Sequence, residues 1–478
     1  MTVVRNAAIS RAMDGDSGLA LYFANMADRA FTHEEILPVI RGVALCILLA
    51  ALDQTIIVPA VPRMAHDLGG GHHIAWIVSA YLLTGTAATP IFGKLSDIYG
   101  RRRLMQPALI IFCAASLGCA ASGNFWQIVL FRAIQGVGGA GLMTIAQTAI
   151  SDVAPPRERG RYQIYMSGMW GIASISGPML GGALTDSLSW RGIFWINLPL
   201  GALAWVLSSR ALRVLPPHES GDRKIDYLGA VLLTCAVTAW LVLCSSGGRD
   251  FAWASKTSGF LVAAGLVFTA LTVWVEHFAP APMLPLRLFS NGTVLGGLLL
   301  SATNALCTFG ASLLLPLYFQ YIKHTNAALS GLLTTPFLLA FVIMSYAGGR
   351  ISRAIGRTRP TVLAALALCV VGLGLLATMG QGTPFILCDL YSVILGGGIG
   401  LVQPNITVAI QNAAERRDVG VATGCMLLFR AIGGAFGATL AAVMLLGYGF
   451  GAGFGACAVV AVVAVLIAAT MQDAVLRS

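Results

Sequence analysis

An acidic residue, Asp53, and a basic residue, Arg132, each stand inside a long apolar segment. Asp53 lies about eight residues from the outer end of its segment, or about 12 Å deep at the rise of an α-helix. Arg132 lies about seven residues from the same end of its own segment, so the two charges are expected at similar depth. A carboxylate beside an arginine in hydrocarbon can bind and release a proton as its surroundings change. The pair therefore predicts proton coupling, and the alternative is a static ion pair that only orders the helices.

Uncharged polar residues also interrupt the apolar segments, and as a group they indicate a polar path through the protein. Singly, each is equally well explained by a hydrogen bond between helices. The candidates for lining the path are Gln54, Tyr81, Gln135, Gln147, Asn304, Gln403 and Asn405. Asp389 lies close to the outer end of its segment, which favours a solvated vestibule. Arg430 lies deeper, with no carboxylate at a matching depth.

The segments that hold these residues are too apolar for a water-soluble fold. Hydrophobic residues make up 57% of the 478 residues and charged residues only 10%. Segments of about 20 residues are long enough to cross a hydrocarbon core about 30 Å thick. Fourteen such spans are predicted, at 38–61, 73–95, 104–122, 125–150, 162–184, 191–212, 226–245, 257–276, 293–322, 330–350, 360–379, 384–411, 419–446 and 452–472. The sequence thus predicts an all-α polytopic membrane protein.

One short basic loop occurs twice, 256 residues apart, as GKLSDIYGRRR at 93–103 and GRISRAIGRTR at 349–359. An internal repeat of this kind indicates a duplicated architecture. At about 32 residues per helix and loop the offset corresponds to eight spans, so two spans are inserted between two matching sets of six. The predicted domains are a cytoplasmic amino-terminal segment (1–37), a six-helix bundle (38–212), a linker with two inserted helices (213–292), a second six-helix bundle (293–472) and a cytoplasmic tail (473–478).

Charge and cysteine patterns exclude several other classes of protein. The net charge is +10, but the basic residues concentrate in alternate loops, as the positive-inside rule requires when the amino terminus is cytoplasmic. No nucleic-acid partner is therefore expected. The ten cysteines form no CxxC pair, and His72 and His73 lack a third ligand, so no disulfide framework or metal site is expected. Because no phosphate-binding loop or nucleophile-base set occurs, neither ATP-driven transport nor an enzyme is expected.

Five ordered motifs resemble the major facilitator superfamily, in particular its fourteen-helix drug:proton antiporter branch of the EmrB/QacA type. They are LDQTIIVPAVP at 52–62, GKLSDIYGRRR at 93–103, LFRAIQGVGGAGL at 130–142, GPMLGGAL at 177–184 and WRGIFWINLPLG at 190–201. The resemblance implies two helical bundles around a central path. Residues 1–25 match nothing in the family pattern, so translation is expected to begin nearer Met26.

The resemblance also implies roles for particular residues. Asp53 and Arg132 match positions that serve proton and substrate coupling. The motif formed by Gly177, Pro178, Gly181 and Gly182 is typical of exporters. In the first basic loop the gating positions are Gly93, Asp97, Gly100 and Arg101, of which Asp97 and Arg101 match residues that latch the two halves together on the cytoplasmic side. The second loop has Arg353 in place of Asp97, so the latch is expected to be asymmetric.

The function implied is a proton-coupled antiporter that exports small lipophilic or cationic compounds across the bacterial cytoplasmic (inner) membrane by alternating access. Both termini are expected in the cytoplasm, and the proton gradient, with no cofactor, is the expected energy source. The expected partners are a small-molecule substrate, protons and the lipid bilayer, and the sequence is silent on a periplasmic adaptor. A specialised exporter of a lipid or an endogenous metabolite would share this machinery, and an importer is the further alternative.

Overall fold

The computed structural model describes residues 33–69, 76–154, 158–214, 226–248, 251–279, 282, 284–325, 327–355 and 357–471. Throughout these ranges the secondary structure is helical, with no β-strand. Residues 1–25, which were expected to precede the true start, lie outside the described residues. His72 and His73 lie outside them as well.

The first half and the inserted pair contain ten described α-helices. They are α1 (His33–Ile56), α2 (Val61–Leu68), α3 (Trp76–Tyr99), α4 (Arg101–Ala121), α5 (Phe125–Val153), α6 (Arg159–Ser187), α7 (Gly192–Trp195), α8 (Asn197–Ala211), α9 (Tyr227–Ser246) and α10 (Lys256–Phe278). The second half has α11 (Arg287–Ser290), α12 (Gly292–Tyr321), α13 (Ala327–Ile355), α14 (Arg359–Ala377), α15 (Phe385–Ala413), α16 (Val419–Tyr448) and α17 (Phe450–Thr470). Short 3-10 helices occupy Val58–Ala60, Leu212–Val214 and Arg416–Asp418.

Twelve helical stretches of the described chain are long and apolar enough to cross a membrane, with α7 and α8 together forming one of them. The protein is therefore a multi-pass membrane protein. The helices α3 and α6, of 24 and 29 residues, are as long as these twelve stretches. Threonine, serine and glycine, however, lower their hydropathy. The count of fourteen spans thus stays a prediction.

The first span is shorter than the sequence predicted. It was expected to reach residue 61, but α1 ends at Ile56. Pro59 and Pro62 lack the backbone N–H that would continue an α-helix, and the chain instead forms the 3-10 turn Val58–Ala60 followed by α2. The predicted distance of Asp53 from the helix end was therefore wrong, because α1 ends within one turn of this residue.

The packing of helices in the first half is repeated in the second. The helix α5 lies against α3 and α4, just as α15 lies against α13 and α14. The helix α1 lies against α6 and α8, just as α12 lies against α16 and α17. The inserted helix α9 packs on α10, α3 and α16. This correspondence is what a duplicated architecture predicts, although the exact domain boundaries stay predictions.

The two halves meet along two helix pairs, α3 with α16 and α6 with α13. We call the end of the molecule that carries the loops at 93–103 and 349–359 the basic-loop side. A Cβ atom on Gly93 would overlap the backbone oxygen of Gly420, and Oγ of Ser167 lies 2.7 Å from Oγ of Ser345. Both contacts lie toward the basic-loop side, so the structure is closed there.

Candidate functional site

The carboxylate of Asp53 is held inside the first half by side chains from two other helices. One oxygen, Oδ2, accepts a hydrogen bond from Nη1 of Arg132 on α5 at 2.6 Å. The other, Oδ1, accepts from Nε2 of Gln135 at 2.9 Å and from Nδ2 of Asn197 on α8 at 2.8 Å. Asp53 and Arg132 are each only 1% exposed. The pairing predicted from the sequence is therefore present.

A second set of contacts fixes the groups that bind Asp53. Oγ of Ser116 on α4 accepts from Nε2 of Gln135 at 2.7 Å and from Nδ2 of Asn197 at 3.2 Å. Nε of Arg132 donates to the backbone oxygen of Ile77 at 3.1 Å. The guanidinium of Arg132 also lies over the ring of Tyr81, 4.4 Å from its centroid. Five helices, α1, α3, α4, α5 and α8, thus contribute to the cluster around one carboxylate.

This arrangement explains how an ion pair is kept in hydrocarbon. A buried carboxylate is costly unless it is paired and its remaining oxygen positions accept hydrogen bonds. Here both oxygens are occupied, one of them twice. The carboxylate is therefore sealed from solvent in this structure.

Sequence reasoning missed Asn197 and Ser116. Asn197 lies within the WRGIFWINLPLG motif and is fully buried, and its amide in an apolar stretch was the available signal. It opens α8 directly after a break at Ile196. Pro199 contributes to this break, because it cannot donate a backbone hydrogen bond to the preceding turn. The break places the amide beside Asp53.

The polar residues proposed to line a path occupy different places. Gln135 and Tyr81 belong to the Asp53 cluster and are buried. Asn304 donates to Oε1 of Gln403 at 3.3 Å, and Asn405 donates to the backbone of its own helix at Leu401. Gln54 is partly buried and its side chain lies near the hydroxyl of Tyr81. Gln147 is buried at the interface between the halves, where its backbone oxygen accepts from Gln411. The structure therefore brings these side chains into two groups instead of one lining, with Asn405 and Gln147 apart from both. Their role along a path stays a prediction.

The first basic loop connects the two halves through Asp97. Its oxygens accept hydrogen bonds from the backbone N–H groups of Gly420 and Val421, at 3.1 and 2.9 Å, at the start of α16. Arg101 holds the same carboxylate through Nη1 at 2.6 Å and bonds Asp152 through Nε at 2.8 Å. Because a helix amino terminus favours negative charge, this contact stabilises the closed basic-loop side.

Two glycines determine the conformation and packing of the first basic loop around Asp97. Gly100 has φ of 86°, a left-handed conformation that suits glycine, and it separates α3 from α4. Gly93 allows the backbones of α3 and α16 to touch. The side chain of Arg353, expected to make the second loop different, lies outside the described residues.

The GPMLGGAL motif packs α6 onto the end of α1. Cβ atoms on Gly177 and Gly181 would overlap the side chain of Thr55 and the backbone oxygen of Ile56, respectively. Oγ1 of Thr55 donates to the backbone oxygen of Ala173 at 2.8 Å. Pro178 is exposed and Gly182 faces open space. The motif therefore brings α6 against the helix that carries Asp53.

The chain is a polytopic helical protein with a duplicated bundle, a buried ion pair and contacts between its halves. These features are typical of membrane transporters built from two related bundles. The family model described as Major Facilitator Superfamily matches residues 43–438 and 297–474. The chain belongs to this superfamily of transporters.

Relatives and solved structures agree with this assignment. The chain is 35% identical to the multidrug transporter protein MdtP of Bacillus subtilis over 84% of this chain and 74% of that protein. It is 36% identical to the uncharacterized MFS-type transporter Rv1877 of Mycobacterium tuberculosis over 82% of this chain, but spans only 57% of that relative. The crystal structure of the human organic anion transporter MFSD10 superposes with a TM-score of 0.68 over 91% of this chain and 99% of that one. At 17% identity the last likeness shows the fold alone.

Proposed function

We propose that the chain is a proton-coupled exporter of the drug-efflux type, with fourteen spans, that moves small lipophilic compounds out of the cell in exchange for protons. In this proposal α3 and α6 also cross the membrane, since they have the length of their neighbours. In this proposal both termini lie in the cytoplasm, because that orientation agrees with the distribution of basic residues. The membrane proposed is the bacterial cytoplasmic membrane. The relative named multidrug transporter supports the substrate class.

Proton coupling rests on one observation, the buried carboxylate of Asp53 within reach of three donors. An acid inside a span is by default a functional group with a specific partner. Protonation of Asp53 would remove its charge and weaken its bond to Arg132. The state of the ion pair would therefore differ between the protonated and the unprotonated transporter. The proposed partners of the transporter are the small-molecule substrate and the proton.

Cationic substrates, which the sequence also suggested, are not carried into this proposal. A cationic substrate would need an unpaired negative charge to attract it, and Asp53 is the candidate carboxylate within the first half. Its carboxylate is 1% exposed and neutralised by Arg132, so no free negative charge is offered at this site. Lipophilicity is therefore the property we assign to the substrate here.

Export is proposed over import because Gly177, Pro178, Gly181 and Gly182 resemble the exporter motif. The latch at Asp97 supplies the alternating step, since substrate loaded from the cytoplasm requires the basic-loop side to open. Closing of this side would then release substrate outward.

Inverted membrane vesicles with a panel of lipophilic dyes test direction and coupling together. We expect an imposed proton gradient to drive dye into the vesicles, and the Asp53→Asn variant to lose at least ten-fold in that accumulation. The matched control is Asp186→Asn, which removes an exposed carboxylate at the end of α6 and should leave accumulation unchanged. Dye accumulation by the wild-type chain that is indifferent to the proton gradient would contradict the proposal.

A further inference from the structure

The side chain of Arg430 is another positive charge deep inside a span, and no described residue pairs with it as Asp53 pairs with Arg132. Arg430 stands on α16, eleven residues after Val419, or about 16 Å along the helix from the basic-loop side. It is partly buried. Among the described residues it makes no hydrogen bond or ion pair, and no carboxylate acts on its guanidinium. An arginine at the middle of a 30-residue span therefore carries an uncompensated charge.

The neighbour of Arg430 is an aromatic ring from the other half. The guanidinium carbon lies 5.8 Å from the ring centroid of Trp170 on α6. Trp170 stands eleven residues after Arg159, the first residue of α6, so the two side chains share the same depth. Because α6 and α16 belong to different halves, this contact crosses the space between the bundles, where a central path would run.

Other polar groups of the second half do not satisfy Arg430. Asn304 and Gln403 bond to each other. Asp389 lies near the opposite end of α15, four residues after Phe385. Glu276 is on α10 and Asp418 pairs with Arg287 at 2.6 Å. Among the described residues, the N–H donors of the Arg430 guanidinium thus remain unused at the contact between the two halves.

A guanidinium presents its N–H groups in a planar fork that matches the two oxygens of a carboxylate, and a charge-assisted pair of this type is stronger than a neutral hydrogen bond. An arginine beside an aromatic ring in a partly apolar space can accept a ligand whose acidic group bonds the fork while its apolar body lies on the ring. The same positive charge repels cations.

We propose that Arg430 and Trp170 form a binding site for the acidic group of a lipophilic organic acid, which makes such acids the preferred substrates of this transporter. This inference rests on the proposed function for its transport aspect and specifies its substrate class. The bond between ligand and guanidinium takes the place of the counter-ion that no described residue provides.

Equilibrium binding to the purified chain in detergent tests the site without requiring transport. Three probes share one fluorophore and differ in charge: dansylglycine is an acid, dansylamide is neutral and dansylcadaverine is a cation. We expect the wild-type protein to bind dansylglycine at least ten-fold more tightly than the other two. Arg430→Gln should abolish this preference while leaving dansylamide binding within two-fold, and Arg430→Lys should retain only part of it, because lysine keeps the charge but loses the fork.

Two controls keep the result specific. Arg210→Gln removes an exposed arginine at the end of α8 and should not change the binding of any probe. Arg430→Gln should melt at about the same temperature as the wild type, because among the described residues the removed charge has no hydrogen bond or ion pair and only the ring of Trp170 beside it. Trp170→Ala should weaken dansylglycine and dansylamide together, since both use the aromatic surface.

Equal binding of the three probes by the wild-type chain, or an acid preference that survives in Arg430→Gln, would overturn the inference. The proposed function is judged separately by gradient-driven movement of dansylamide in liposomes. Movement of dansylamide with no acid preference leaves the transporter standing and refutes the Arg430 site. Acid binding that depends on Arg430 without any gradient-driven movement supports the site and refutes proton-coupled export.

Discussion

At the scale of single residues, two arginines deep inside the spans are in opposite states. Arg132 bonds Asp53 and lies over Tyr81, whereas Arg430 has the ring of Trp170 beside it and no ion pair with a described residue. Breaking a buried pair by removing one partner is far more costly than replacing both, because the remaining charge stays uncompensated. The stability of the first half should therefore depend on Asp53 in a way that the second half does not depend on Arg430.

We expect Asp53→Asn to lower the free energy of unfolding by about 3–5 kcal/mol, because the charge of Arg132 is left buried without its partner. The double variant Asp53→Asn with Arg132→Gln should recover part of this loss. Thermal melting of the purified proteins measures both effects. A single variant as stable as the wild type would show that the ion pair contributes nothing to the fold.

The sequence predicted the partner of Asp53 but not the whole cluster. Two opposite charges inside apolar segments were enough to pair Asp53 with Arg132, although the predicted distance of Asp53 from the end of its helix was wrong. Asn197 and Ser116 could not be assigned, because a lone amide or hydroxyl in a span is equally compatible with any neighbouring helix. The convergence of α1, α4, α5 and α8 in the structure shows that Asn197 bonds Asp53 directly and that Ser116 bonds the two amides that hold it.

At the scale of elements, close packing of α6 on α1 determines how the Asp53 cluster is held. The contact uses Gly177 and Gly181, one helical turn apart, against Thr55 and Ile56. Twelve of the predicted spans agree with helices of the described chain, but the predicted end of α1 was wrong, since prolines at 59 and 62 stop the helix within an apolar run.

Substitution of adjacent glycines tests this packing. Gly181→Ala should destabilise the protein by about 1–3 kcal/mol, because its methyl group would force α6 away from the backbone of Ile56. Gly182→Ala is the matched control, since nothing lies within 4 Å of the added atom, and it should melt like the wild type or slightly higher. Equal melting temperatures for the two variants would contradict a tight α1–α6 contact.

At the scale of the whole molecule, the halves are joined on the basic-loop side by Asp97 at the start of α16 and by Ser167 against Ser345. Repetition of the basic loop predicted two related halves, and the helix packing repeats accordingly. The partner of Asp97 could not be read from the sequence, because it is a pair of backbone N–H groups 323 and 324 residues away. Alternating access requires these contacts to separate.

A cross-link across this interface should stop transport. The hydroxyl oxygens of Ser167 and Ser345 are 2.7 Å apart, so cysteines at both positions can form a disulfide with little backbone movement. We expect oxidation of the Ser167→Cys and Ser345→Cys double variant to reduce dye transport at least ten-fold, with recovery on reduction. Each single cysteine variant, oxidised in the same way, is the control. Full transport by cross-linked protein would mean that this interface does not open.

The most direct test of the central claim measures protons themselves. Purified protein is placed in liposomes that contain a pH-sensitive dye, and a gradient of a transported lipophilic compound is imposed with no initial pH difference. The wild-type chain should move protons in the direction opposite to the compound. The Asp53→Asn variant should move the compound down its gradient without moving protons, because no other described acid lies beside Arg132. Proton movement of equal size in both proteins would contradict the assignment of coupling to Asp53.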